Sequence, residues 1–199
     1  MISKQDINKP VKADNLIVFT FFLHLLLLLV ASSVPEGSFF FWMTINLTVE
    51  AFIMFRLLLL WRRYSKHEPR RYNSLQLYWI LTGLSIFAMM PFVRATYGSV
   101  AFWPFLFGTV FLFLLSHLWK EKIASVFVNP RKTKHLIKWP KALAIIVIIG
   151  LVIMTVLRFT PAHPNLGHSI FIYMIGGFMG FCATPFSLDQ ERIEKLMDE

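Results

Sequence analysis

The chain has 199 residues, of which 56% are hydrophobic and only 16% charged, with 21 Phe and six Trp, and its mean hydropathy is +0.60. Soluble domains are about 45 to 50% apolar and about a quarter charged, and one core in a chain this short cannot enclose so much aromatic surface, which argues against a soluble globule and for an integral membrane protein. A net charge of +9 would suggest nucleic acid in a soluble protein, but the basic residues flank apolar runs as membrane orientation requires, so the expected partner is the lipid bilayer and no nucleic acid.

Six apolar stretches, each bounded by charge or turn residues, predict transmembrane helices at about 15–34, 39–61, 75–93, 100–119, 141–159 and 168–186. Each is near the length a helix needs to cross the hydrocarbon. A lipid-exposed backbone must satisfy its own hydrogen bonds, and runs without two-residue alternation do not suit a barrel, so the expected fold class is all-α, a bundle of six transmembrane helices. A cytoplasmic N-tail at 1–14 and a cytoplasmic C-tail at 187–199 complete the expected organisation.

Orientation follows from the basic residues. Lys4, Lys9 and Lys12 precede the first span, Arg62, Arg63, Lys66, Arg70 and Arg71 follow the second, and Lys and Arg recur from Lys120 to Lys141 and at Arg192 and Lys195. The opposite connections hold Arg94 and Arg158, so both termini are expected in the cytoplasm. The first span resembles a signal peptide in its basic lead and small residues at Ala31, Ser32 and Ser33. Its apolar run is too long for that, and only Pro35 to Ser38 separates it from the second span, as in a tight helical hairpin. Asn46-Leu47-Thr48 fits a glycosylation acceptor by pattern but falls within the second span.

After the fourth span, Ile123 to Val128 continues apolar past the charges, Asn129-Pro130 breaks any helix, and lysines alternate with Leu136, Ile137 and Trp139. This pattern predicts a segment lying on the headgroups. At the C-terminus Ser187 and Gln190 have capping-box spacing, and Leu188, Ile193, Leu196 and Met197 predict a short amphipathic helix, expected to be a solvated charged end, with docking on the basic loops as the alternative.

Polar groups inside spans are costly and each needs a partner. Glu50 stands at the centre of the second span, with Asn46 one turn earlier on the same face, and His24 stands at the centre of the first. The hairpin turn centres between Glu36 and Gly37, with His24 about 12.5 residues before it and Glu50 about 13.5 after, so antiparallel helices bring the two to one depth. Contact is therefore expected between His24 and Glu50, with Asn46 close by, either as a polar clasp or as a proton-carrying centre. Arg56 points elsewhere and is expected to snorkel toward the headgroups.

Phe113 to His117 resembles a five-residue fragment, Phe-x-x-x-His, of the intramembrane CAAX-type proteases. That family's paired glutamates followed by arginine are absent, because Ala51 and Phe52 stand five and four places before Arg56, and the family is not adopted. A haem between His24 and His117 fails on depth. His163 and His168 have no third ligand beside them in sequence, and the single Cys182 lies in an apolar run as a small packing residue. No metal, cofactor or catalytic set is expected.

In the sixth span Gly176, Gly177 and Gly180 form a small-residue face suited to close helix approach, within the bundle or in a homodimer or partner seam. The expected role is a non-enzymatic accessory or assembly module of the plasma membrane, or inner membrane in a Gram-negative cell, binding other membrane proteins or lipids. The alternative is a small proton-linked transporter or channel centred on His24 and Glu50.

Overall fold

A computed structural model of the chain describes residues 12–128, 148, 152 and 166–198. Among them no strand occurs. The helices are α1 (Ile17–Ser33), α2 (Phe39–Tyr64), α3 (Pro69–Ala95), α4 (Phe102–Leu118), α5 (Lys120–Val128), α6 (Leu166–Ala183) and α7 (Gln190–Asp198), with a 3-10 turn, Thr184–Ser187, between the last two. The stretches Phe39–Tyr64, Pro69–Ala95 and Ser169–Ser187 are long and apolar enough to cross a membrane. So is the pair α4 and α5 if its two parts, bent by 58°, are one span, while α1 is a shorter apolar helix. The predicted fifth span falls outside the described residues except for Ile148 and Val152, both helical.

The hairpin of α1 and α2 turns at Pro35 to Ser38. Gly37 takes φ +102°, a conformation that costs glycine little because it has no Cβ to clash. The chain turns again at Ser65 to Glu68, where Pro69 opens α3. Proline fits a helix start because its missing N–H would have no intrahelical partner there. Consequently α3 begins six residues earlier than the predicted span, and Arg70 and Arg71 are helical rather than part of a loop.

The hub of the bundle is α3, which packs on α1, α2, α4 and α6, most extensively on α6. Its core side chains include Tyr72, Phe87 and Met89, and Leu28 of α1 and Ile53 and Leu57 of α2 are buried as well. The opposite faces carry exposed Val18, Phe22, Leu26, Phe40, Phe107 and Leu114. Such a display is costly in water and favourable in hydrocarbon.

The C-terminus departs from the expected solvated tail. Leu188 and Leu196 are buried against Ala124 of α5, with Ile193 packed beside them. Arg192 donates from Nε and Nη2 to the two carboxylate oxygens of Glu121, at 3.0 and 2.8 Å. Arg71 pairs with Asp189 at 2.6 Å and donates to the carbonyls of Ser187 and Leu188, while Ser74 donates to the Phe186 carbonyl at 2.8 Å. Apolar burial on one side of α7 and two arginine ion pairs on the other outweigh solvation of its charges. The capping box does not form. Ser187 Oγ instead donates to the Thr184 carbonyl at 2.7 Å, and the Asp189 carbonyl accepts from the amides of Arg192 and Ile193.

Candidate functional site

The sequence supplies a histidine on α1 and a carboxylate on α2 at matching depth, and the structure brings them together. His24 Nδ1 lies 2.8 Å from Glu50 Oε2, and the residues are 0% and 2% exposed. The other ring nitrogen, Nε2, is 3.0 Å from the Ile80 carbonyl of α3. A carbonyl only accepts, so Nε2 carries a proton. The remaining proton of the pair therefore lies between Nδ1 and Oε2, giving either a neutral acid donating to imidazole or an imidazolium donating to carboxylate. The two forms carry the same net charge. Without that proton two lone pairs would face each other in a dry interior, which is repulsive.

The ring fits against α3 because residue 83 is glycine. A Cβ there would overlap His24 Cε1 and stand 2.6 Å from Nε2. Phe87, one turn further, meets the imidazole edge to face at 5.7 Å.

Asn46 is buried but is not bonded to the pair. Its Nδ2 donates to Ser32 Oγ at 2.9 Å, and Ser32 Oγ donates to the Leu28 carbonyl at 2.8 Å. Asn46 Oδ1 and Glu50 Oε1 are both buried and have no hydrogen-bond partner. Two acceptors thus stand unsatisfied one helical turn apart on α2.

Further polar contacts fix α1 on α3. At the start of α1, Asn73 accepts from the Asp14 amide at 3.0 Å and donates to the Lys12 carbonyl at 3.0 Å. The Gln76 amide, oriented by its partners, donates to the Asp14 carbonyl at 2.7 Å and accepts from the Leu16 amide at 2.8 Å. At the other end Arg94, expected in an outer loop, belongs to the last turn of α3 and is 4% exposed. It donates to the carbonyls of Ala31, Ser32 and Gly37, with Trp42 6.0 Å from its guanidinium. A cation suits this place, because the last carbonyls of α1 lack helical donors and carry the negative end of its dipole.

The glycines of α6 separate by role. Cβ atoms at Gly176 and Gly180 would meet Met89 Cγ at 2.7 Å and Ser85 Oγ at 2.7 Å, so α3 lies directly against them. Ser85 Oγ donates to the Gly176 carbonyl at 2.6 Å. Gly177 faces Leu112 of α4 at ordinary contact distance, 3.7 Å. This face is occupied within the chain.

His117 belongs to a separate cluster. Its Nδ1 donates to the Phe113 carbonyl at 2.8 Å, and its Nε2 is 2.9 Å from Tyr78 Oη, so the phenol donates to it. Arg56 is exposed on α2, with its guanidinium 5.8 Å from the Trp79 ring. Among the described residues no three His, Cys, Asp or Glu side chains converge as metal ligands. The fifth connection with His163 lies outside the described residues.

Sequence reasoning did not find Gly83, Ser32, Arg94 or the Ile80 carbonyl. A lone glycine at the centre of an otherwise bulky span was a usable signal for Gly83. Backbone carbonyls leave none. No family model, no characterised protein and no solved structure is matched by this chain.

Proposed function

We propose that the chain is a multi-pass membrane protein of six spans with both termini in the cytoplasm, residing in the plasma membrane or a Gram-negative inner membrane. It acts without enzymatic chemistry, as an accessory or assembly module that binds membrane proteins or lipids. One observation carries this reading: the buried His24, Glu50 and Asn46 of α1 and α2 each bond to a neighbouring helix. His24 engages Glu50 and Ile80, Asn46 engages Ser32, and Arg94 closes the hairpin end. A bundle whose polar groups tie helices together makes a rigid platform, and its exposed apolar faces are left for lipid or a partner span.

The unpartnered Oε1 of Glu50 favours a second reading, a proton-linked transporter or channel. Proteoliposomes separate the two. The platform reading expects wild type and Glu50→Gln to pass protons no faster than protein-free vesicles. A Glu50-dependent proton flux in the wild type would replace it with the second.

A further inference from the structure

We infer that the centre of the α1–α2 hairpin is a proton-binding site, in which Glu50 takes up one proton on Oε1 and hands it as a hydrogen bond to Asn46 Oδ1. The inference rests on the polar centre described above and goes beyond its role as a clasp.

Donors are too few for the buried acceptors at this centre. In the form with one proton between His24 and Glu50, Nε2 serves the Ile80 carbonyl and Nδ1 serves Oε2, yet Glu50 Oε1 and Asn46 Oδ1 remain buried acceptors with nothing to accept. Both are oxygens, so neither relieves the other. A single added proton relieves both, because a carboxylic acid is a donor and an amide oxygen an acceptor.

The placement suits that bond. Ser32 lies nearer the hairpin turn than Asn46, and Glu50 lies one turn deeper. With Nδ2 committed to Ser32, the amide oxygen is the atom of Asn46 left to accept, and side chains four residues apart on a helix are neighbours. With the proton in place an unbroken series runs from the Ile80 carbonyl through His24, Glu50, Asn46 and Ser32 to the Leu28 carbonyl.

Two costs oppose each other. The unprotonated form is neutral and leaves two orphaned acceptors, whereas the protonated form pairs both oxygens but buries a positive charge. Against the pair, α1 presents His24 itself and α2 presents Glu50 and Asn46. The α3 surface presents the Ile80 carbonyl, Gly83 and Phe87, none of which titrates. Arg94 reaches the site's outer end through the Ser32 carbonyl, and Arg56 is turned to Trp79.

Infrared difference spectroscopy on the full chain in lipid nanodiscs, acidified stepwise, tests the inference. Wild type should show, beyond what Glu50→Gln shows, one carboxylic acid C=O band and uptake of one further proton per chain. The band should vanish in Glu50→Gln and move in Glu50→Asp. Removing the acceptor in Asn46→Ala and Asn46→Leu should weaken proton affinity tenfold or more, displacing the titration by at least one pH unit downward. Absence of a Glu50-dependent band over the pH range in which wild type stays folded overturns the inference, as does a titration in both Asn46 variants that superimposes on wild type. Melting of the same samples reports separately on the clasp. A His24→Leu protein that melts like wild type removes the clasp, whatever the infrared band does.

Discussion

At the scale of single residues, the centre of the bundle depends on an absent side chain as much as on the two that bond. Gly83 leaves the space that His24 fills, and the ring cannot withdraw, being held at both nitrogens. Gly83→Ala is therefore expected to cost about 1 to 3 kcal/mol as an overpacked core does, read as a lower melting temperature in detergent. Glu50→Gln should be mild, under about 1.5 kcal/mol, because the amide still donates to Nδ1 while Nε2 keeps its proton for Ile80. His24→Leu leaves Glu50 buried with neither partner and should cost about 3 to 5 kcal/mol. A His24→Leu protein that melts like wild type would show that the pair contributes nothing to holding α1 on α2.

At the scale of elements, α6 rests on α3 through glycines that are unequal. Leu at Gly176 or Gly180 must displace Met89, Ser85 or Phe113, whereas Leu at Gly177 enters a looser contact with Leu112. Folded yield is expected to fall sharply for the first two and modestly for the third. Equal yields would remove α3 as the tight neighbour. The docking of α7 on α5 has a pH dependence of known sign. The Arg192 guanidinium, bonded to both carboxylate oxygens, holds Glu121 below the usual carboxylate range. A depressed acid contributes fully above its unfolded value of about 4.3 and loses its contribution as pH falls through the lower folded value. Spin labels at Lys122 and Lys195 should give a narrow distance distribution near neutrality that broadens in acid, and Arg192→Ala should broaden it at every pH. A distribution that stays narrow in Arg192→Ala would leave the apolar contact of Ala124, Leu188 and Leu196 as the sole anchor.

At the scale of the whole molecule, the orientation proposed from the distribution of charge is one that labelling can read. In a Cys182→Ser background, cysteines at Gly37 and Gly98 should react with an impermeant maleimide added outside intact cells, and cysteines at Lys66 and Thr133 should not. Reaction at Lys66 would reverse the hairpin of α2 and α3 and with it the proposed topology. The same charges explain why α4 does not continue straight into α5. Lys120, Glu121 and Lys122 interrupt the apolar run, and the chain bends by 58° so that Ala124 meets the C-terminal cluster.

The sequence by itself determined that the chain is helical and apolar enough for a bilayer, because length and hydropathy of the runs are local properties that lipid reads directly. It also placed His24 and Glu50 at one depth, since a hairpin with a short turn fixes register by counting. What counting cannot give is rotation about each helix axis. That Asn46 turns to Ser32 rather than to the pair, that Gly83 stands behind the imidazole and that Arg94 folds back over the end of α1 were decided by how α3 packs across the hairpin. The docking of α7 was decided in the same way. Its charges alone favour water, and only the meeting of Arg71, Glu121 and an apolar patch from separate elements makes the bound position the better one.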